Sequence, residues 1–475
     1  MSWAAGEFAD LDLGDKRLDR RAVKLVEALA EKPMASIPQA CGGWAETQAA
    51  YRFFGSEEFD WRDILAPHVA STQRRMAEHE VVLCIQDTTD LNFNGQDIAG
   101  LGRLNYAPER GMYLHPTYAV SVDREPLGVL DAWMWTRAPK GSKADREALL
   151  ESTRWVEGYE RVAEQAASLA STRLVYVADR EGDLLPLMRK AQELGHPADW
   201  LVRSQHNRKL MVPVKLKISA EDRKKAREDA KKAGNSGKSG EPEESSAKPV
   251  RLKMWDETRQ GAPLGEVKFV MPRRPGHRAR TVHQTLWAKR VEVARGLWVS
   301  CVVACELHPP AGVKALEWRL VSNREVKDFA DASQLVDWYR ARWEIEMLFN
   351  VLKNGCRIEA LQLSSVDRLE RALALYLVVA WRIARLMRLG RTCPELPAAL
   401  YFDADEWRGA YILLKKPLPK TPPNLNTVIR LVARLGGFLG RKSDGEPGVK
   451  TLWLGLQRLA DFTFGVRCAR EFGLG

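Results

Sequence analysis

Two runs in this chain are largely apolar and rich in β-branched residues, VVLCIQ at 81–86 and RLVYVA at 173–178, and each stops at an acid, Asp87 and Asp179. A strand without polar alternation is one buried on both faces, which points to a sheet covered by helices. Between the two runs lie strand-like segments Leu114 to Val122 and Leu127 to Thr136, joined by the turn DREP, and then a helical segment, Ala144 to Leu169. A helix near Asp183 to Leu194 and the strand DWLVRS follow. Three meandering strands followed by alternating helices and strands predict an α/β fold with a mixed five-stranded sheet.

That element order is the one of a ribonuclease H-like core, in which the first and fourth strands are neighbours. Asp87 and Asp179 would then meet at one sheet edge. Such a core ends with a helix, and DWYRARWEIEMLFNVLKNG, Asp337 to Gly355, reads as that helix. On it Tyr339, Arg342, Glu346 and Lys353 fall within an arc of about 60°. Alone, Arg342 and Glu346 are an ordinary pair one turn apart. With the two aspartates, Glu346 completes a set of three carboxylates that would repel one another without cations, and paired hard divalent ions are the usual remedy. Two such ions about 4 Å apart activate a water or hydroxyl and stabilise the leaving oxygen of a phosphodiester. Asp87, Asp179 and Glu346 are therefore the expected metal ligands, with Tyr339, Arg342 and Lys353 on phosphates. Asp183 is a fourth acid nearby, and its position at a helix N-terminus explains it.

The segments flanking this core differ from it. The first 80 residues read as helices, with an apolar stripe of Leu18, Ala22, Leu25, Val26 and Leu29 and a basic cluster of Lys16, Arg17, Arg20, Arg21 and Lys24 along one of them. That cluster is either a solvated face or a DNA contact. Strands and turns between DWLVRS and Asp337 read as an inserted β subdomain at about 205–325. After Lys353 an apolar helix around Ala372 to Met387 begins a helical tail, where Trp453, Leu456 and Leu459 recur at helical spacing. The expected domains are 1–80, helical and DNA-binding; 81–370, the catalytic core with its insertion; and 371–475, helical and dimerising.

Charge points to an anionic partner. The net charge is +11, and the segment from Arg203 to Lys253, in which Arg208 also lies, holds fifteen Lys or Arg against seven Asp or Glu. From Arg273 to Arg295 the count is seven against one, in a strand-like alternation that could lay cations along phosphates. For the hydrophilic part, EDRKKAREDAKKAGNSGKSGEPEESS, a solvated loop is the simpler reading. Seven cysteines lack CxxC or Cys/His zinc spacing and are expected to be reduced thiols. No start resembles a secretory signal, and the longest clean apolar run, Ala372 to Trp381, is about half of a bilayer span. A cytoplasmic protein, nucleoid-associated when on DNA and without a membrane partner, is expected.

The pattern Y-x2-R-x3-E-x6-K at Tyr339, Arg342, Glu346 and Lys353 resembles the Tyr-Arg-Glu-Lys motif of the DDE transposases of bacterial insertion sequences, in particular the insertion-sequence-four family. The likeness extends to DTT at Asp87, DRE at Asp179, VRS at Arg203, PP at Pro309, AYRF at 50–53, which includes Arg52, and ARLGGF near Leu435. What it implies is specific. The two Asp and the Glu bind two Mg²⁺ or Mn²⁺ per active site, and a homodimer pairs two terminal inverted repeats of double-stranded DNA. Each end is nicked, its 3′ hydroxyl makes a hairpin with the opposite strand, and the reopened end joins target DNA. Trp318, 21 residues before Tyr339, matches a tryptophan that stacks on a flipped base. Arg203 matches an arginine beside the active site, and with Arg208, Arg21 and Arg52 is assigned to DNA. Met347, Leu348 and Phe349 depart from the polar residues that relatives can carry after the Glu. Core packing is the alternative for Trp318. For the whole chain the alternatives are a ribonuclease H-like nuclease or resolvase without strand transfer, and an inactive DNA-binding regulator derived from a transposase.

Overall fold

In the computed structural model, residues 2–105, 109–138, 151–210, 253–271 and 279–473 are described. The hydrophilic loop at 221–246, the cations Arg273, Arg274 and Arg278, and the expected helix start at Ala144 lie outside them. The chain divides into two units, residues 1–199 with 338–475, and residues 200–337.

The first unit begins with helices Trp3–Glu7 (α1), Lys16–Glu31 (α2), Ile37–Cys41 (α3), Trp44–Phe54 (α4) and Trp61–Met76 (α5). Asp15 caps α2 through its side chain, and of the expected stripe Ala22, Leu25, Val26 and Leu29 are buried while Leu18 is half-buried. Glu7 of α1 is buried and accepts from Nη1 and Nη2 of Arg75 on α5, each at 2.9 Å, an ion pair whose fork geometry fixes the first helix.

Strands Val81–Gln86 (β1), Thr89–Asn92 (β2), Gly102–Arg103 (β3), Arg110–Ser121 (β4) and Pro126–Trp135 (β5) follow. Then come helix Thr153–Ser168 (α6), strand Arg173–Ala178 (β6) and helix Leu185–Glu193 (α7). β1 lies between β4, antiparallel, and β6, parallel, with β2, β3 and β5 also on β4. Its residues 82–86 are all buried, the burial its unbroken apolar run requires. The sheet departs from expectation in β2 and β3, two extra strands before α6. Strands of four and two residues carry too little periodicity to be seen in sequence.

In the second unit, strand Asp199–Arg203 (β7), which begins on the last residue of the first unit, is followed by helix Met254–Arg259 (α8). The strands Gly265–Met271 (β8), Arg280–Ala294 (β9), Leu297–Cys305 (β10) and Glu317–Ser322 (β11) pair antiparallel in succession, and β11 pairs with β7 at Leu201 to Arg203. Helix Phe329–Ala341 (α9) carries the chain past residue 337.

Back in the first unit, helix Trp343–Asn350 (α10) leads through a π turn, Val351–Gly355, to helix Val366–Thr392 (α11). The expected single helix from Asp337 to Gly355 is thus interrupted twice. The Arg342 N–H bonds the Tyr339 carbonyl three residues back, which tightens the chain between α9 and α10, and Cys356 N–H reaches Val351 five residues back. α11 is buried from Ala372 to Trp381, and the Trp381 indole N–H donates to the Pro126 carbonyl at 3.0 Å.

Helices Ala404–Leu413 (α12), Leu425–Leu435 (α13) and Val449–Glu471 (α14) complete the chain. Trp453, Leu456 and Leu459 are buried. α13 and α14 meet through glycines: a Cβ on Gly455 would lie 1.8 Å from the Val432 carbonyl oxygen, and one on Gly436 would lie 1.9 Å from that of Thr451. That backbone approach accounts for Gly436 in ARLGGF. Gly455→Ala should therefore cost about 1–3 kcal/mol of stability in urea unfolding, as overpacking does. The same change at Gly448, which has nothing within 4 Å of a new Cβ, should cost little. Equal midpoints for the two variants would contradict the close helix contact.

Candidate active site

The pairing of β1 with β6 sets Gln86 opposite Ala178, so the residues just beyond each strand, Asp87 and Asp179, emerge side by side from two parallel strands. Glu346 comes from α10. All three line one pocket of about 430 Å³ with Thr88, Thr89, Arg342, Phe349, Asn350, Lys353 and Asn354. The structure thus brings together five of the sequence-selected residues: Asp87, Asp179, Arg342, Glu346 and Lys353.

Each acid is held differently. Asp87 accepts the Thr88 N–H at 2.9 Å on Oδ1, and its Oδ2 is paired with Arg342 Nη1. Asp179 caps the short turn after β6, accepting the Glu181 N–H at 2.8 Å. The Glu346 side chain is 52% exposed and takes Arg342 Nη2 at 3.2 Å. Arg342 therefore stands between two of the three carboxylates. Lys353 is also neutralised, 3.2 Å from Asp90 and 3.5 Å from Glu359.

Burial decides the protonation of Asp87. It pushes the carboxyl up to about 7 against the opposing pull of Arg342, and the charges of Asp179 and Glu346 add to the rise. Burial also works against the charge on Arg342, but Asp87, Tyr339 and Glu346 outweigh it and hold the guanidinium above its usual value. Asp87 thus takes up protons in the folded metal-free protein between its ordinary value of 3.8 and about 7. Its ionisation costs stability as pH rises through that window.

Tyr339 is 3% exposed and does not line the pocket. In the N-terminal helices Arg52 is exposed, and Arg21 is paired with Glu46 of α4. Arg203, Arg208 and Trp318 belong to the second unit. Arg203 closes β7 opposite Leu320, and the Arg208 carbonyl accepts the Met254 N–H at 2.8 Å. Trp318 is 8% exposed, with its ring stacked on Phe269 at 5.5 Å and 12°. Its solvent-facing area is small.

Several pocket residues escaped the sequence reading. Asn350 and Asn354, joined by a 2.9 Å hydrogen bond, continue the spacing of four from Arg342 and Glu346, a signal that was present. Thr88 and Thr89 were visible only as part of DTT. The buried Glu344, paired with Arg388 of α11, anchors α10 from behind, and no local pattern links residues so far apart.

The chain matches the Transposase DDE domain over residues 136–382, the Transposase DNA-binding domain over 1–59 and the Transposase Tn5 dimerisation domain over 378–474. The chain belongs to the DDE transposases. This transposase is an enzyme of DNA cleavage and strand transfer, and DNA binding and dimerisation are parts of its activity. Asp179 and Glu346 fall within the DDE match, while Asp87 lies before it and is joined to it by the β1–β6 ladder. The cryo-EM structure of the piggyBac transposase synaptic complex with hairpin DNA is similar at 9% identity and a TM-score of 0.34, covering 82% of this chain and 71% of that one. Likeness at that level carries no weight for fold or function. No described helix is long and apolar enough to cross a membrane.

Divalent-metal dependence comes with the DDE family. Among the described residues no three His, Cys, Asp or Glu side chains are close enough to hold an ion as they stand. The donor set itself fits, since two Asp and a Glu supply the hard oxygens that such ions take. Arg342 has to leave the carboxylates before they can share an ion. With Asp87 raised to about 7, Mg²⁺ binding by the metal-free transposase should release protons at pH 6 and almost none at pH 9. Calorimetry in buffers of different ionisation enthalpy measures that release. An equal release at both pH values would contradict a protonated Asp87.

Proposed function

We propose that this transposase works by cut and paste: a homodimer pairs two terminal inverted repeats, nicks each end, converts it to a hairpin, reopens it and joins it to target DNA. The observation that carries the reading is the single pocket shared by Asp87, Asp179, Glu346, Arg342 and Lys353. The match to the Tn5 dimerisation domain supports the paired-end dimer. The antiparallel β1–β4 and parallel β1–β6 pairings support a ribonuclease H-like core. On this reading residues 1–80 form the DNA-binding domain, 81–370 the core with its β insertion at about 205–325, and 371–475 the dimerisation domain. A cytoplasmic, nucleoid-associated enzyme is the setting.

Asp87, Asp179 and Glu346 would hold two Mg²⁺ or Mn²⁺ ions, which when bound would activate the attacking oxygen and stabilise the leaving one. The remaining steps fall to the chain itself. Arg342 and Lys353, now spent on carboxylates, turn to DNA phosphates, for which a guanidinium fork and an ammonium are suited. Tyr339, expected on a phosphate, is instead buried outside the pocket, and its nearby phenol adds to the charges that hold Arg342 protonated. Arg21, Arg52, Arg203 and Arg208 take further phosphates, and Trp318 offers a face to an extruded base once its stacking on Phe269 is exchanged.

Asp87→Asn, Asp179→Asn and Glu346→Gln should each reduce nicking of the element's own end DNA to background in Mg²⁺. Binding in gel shift should stay within a few-fold, since affinity rests on phosphate contacts elsewhere. Cleavage at the normal rate by any of the three would refute the site.

A further inference from the structure

A buried polar chain runs beneath Asp87 and ends in the pocket. It starts at Gln86, the last residue of β1, which is fully buried. The Gln86 amide nitrogen donates to the Thr117 hydroxyl at 2.7 Å, so its carbonyl oxygen faces the other way, 3.2 Å from His115 Nε2. An amide oxygen can only accept, so His115 carries its proton on Nε2. The other ring nitrogen, Nδ1, is then an acceptor, and it lies 2.8 Å from the Thr88 hydroxyl. Thr88 must donate there.

His115 is 1% exposed, and its ring stands edge-to-face on Trp155 at 4.6 Å and 82°. Gln86 is pinned from outside as well. Helix α6 approaches it at Gly158, where a Cβ would lie 2.3 Å from the amide oxygen. With the Gln86 amide in this orientation, no ring flip of His115 and no rotation of the Thr88 hydroxyl is open without breaking one of these bonds. The hydroxyl rotor of Thr88, ordinarily free, therefore has one orientation.

Thr88 lines the same pocket as the three acids, and its N–H already donates to Asp87. We infer that His115 is a positioning residue: by taking the Thr88 hydroxyl proton it leaves the Thr88 oxygen as a fixed hydrogen-bond acceptor for the attacking water or 3′ hydroxyl. The inference rests on the active-site reading above. A hydroxyl free to rotate would sometimes donate to that nucleophile, competing for the lone pair that attacks phosphorus. Fixing the rotor removes the competing orientation and aligns the nucleophile before attack. It also gives a chemical reason for a threonine directly after Asp87.

The test uses the full-length protein, end DNA of its element and saturating Mg²⁺, with nicking rates read as kcat and KM. Thr88→Val keeps the shape and removes the acceptor. It should lower kcat roughly 10- to 100-fold, the usual loss for groups that orient a reacting centre, with KM for DNA unchanged and the melting temperature lowered, because the buried His115 Nδ1 loses its donor. Thr88→Ser should restore most of the rate. His115→Asn, whose side-chain oxygen can stand near Nδ1, should keep more activity than His115→Leu. Adding His115→Leu to Thr88→Val should cost nothing further in kcat, because both act through one oxygen. Nitrogen-15 spectra of the imidazole should report the Nε2–H form. Thr88→Val at the wild-type rate, additive losses in the double variant, or the Nδ1–H form would each overturn the inference. Asp87→Asn is run alongside: if it still nicks, the active-site reading falls, whereas a dead Asp87→Asn beside a fully active Thr88→Val removes only the role of His115 and Thr88.

Discussion

Parallel pairing of Val81–Gln86 with Arg173–Ala178 puts Gln86 level with Ala178, so the next residue on each strand is an aspartate. Both strands run the same way, and both acids leave the sheet at the same end. A slip of one residue in this register would send one of them to the opposite face, because side chains alternate along a strand. The ladder is defended on both sides of β1, by β4 on one edge and β6 on the other, and its interior is buried throughout residues 82–86. Glu346 then needs only to arrive over that end. The pair Glu344–Arg388 fixes α10 against α11 and points the opposite side of its first turn at the aspartates.

Gathering three acids creates an electrostatic problem that the protein meets with its own cations. Arg342 is shared between Asp87 and Glu346, and Lys353 between Asp90 and Glu359. The relief is partial: burial still leaves Asp87 raised to about 7. Desolvation here outweighs the paired guanidinium. On the proposed reading, ions that take Asp87 and Glu346 would release Arg342 to a phosphate, whereas Lys353 is held by carboxylates outside the set of three.

The three acids of the candidate site were legible because they end or interrupt strong patterns. Asp87 and Asp179 close unbroken apolar strands, and Glu346 sits in a polar stripe on an apolar helix. Other features left no trace at that level. β2 and β3 are too short for a period, and a π turn inserts a residue without any change of composition. His115 is a lone histidine between Leu114 and Pro116, and its partners Gln86 and Thr88 come from the end of β1 and just beyond it. For Trp318 the sequence is silent by nature: a stacking surface and a strand core call for the same aromatic at the same position. In the fold it is 8% exposed and stacked on Phe269.

The central claim is that three acids, far apart in sequence, make one divalent-ion site. Iron-directed cleavage of the polypeptide tests it without reference to catalysis. Fe²⁺ bound in place of Mg²⁺, with ascorbate and peroxide, generates hydroxyl radicals that cut the backbone only nearby. Fragments ending around Asp87, Asp179 and Glu346 together, all suppressed by excess Mg²⁺ and lost in Asp179→Asn, are the predicted result. Cuts at one of the three segments alone, or cuts that Mg²⁺ does not suppress, would contradict the account.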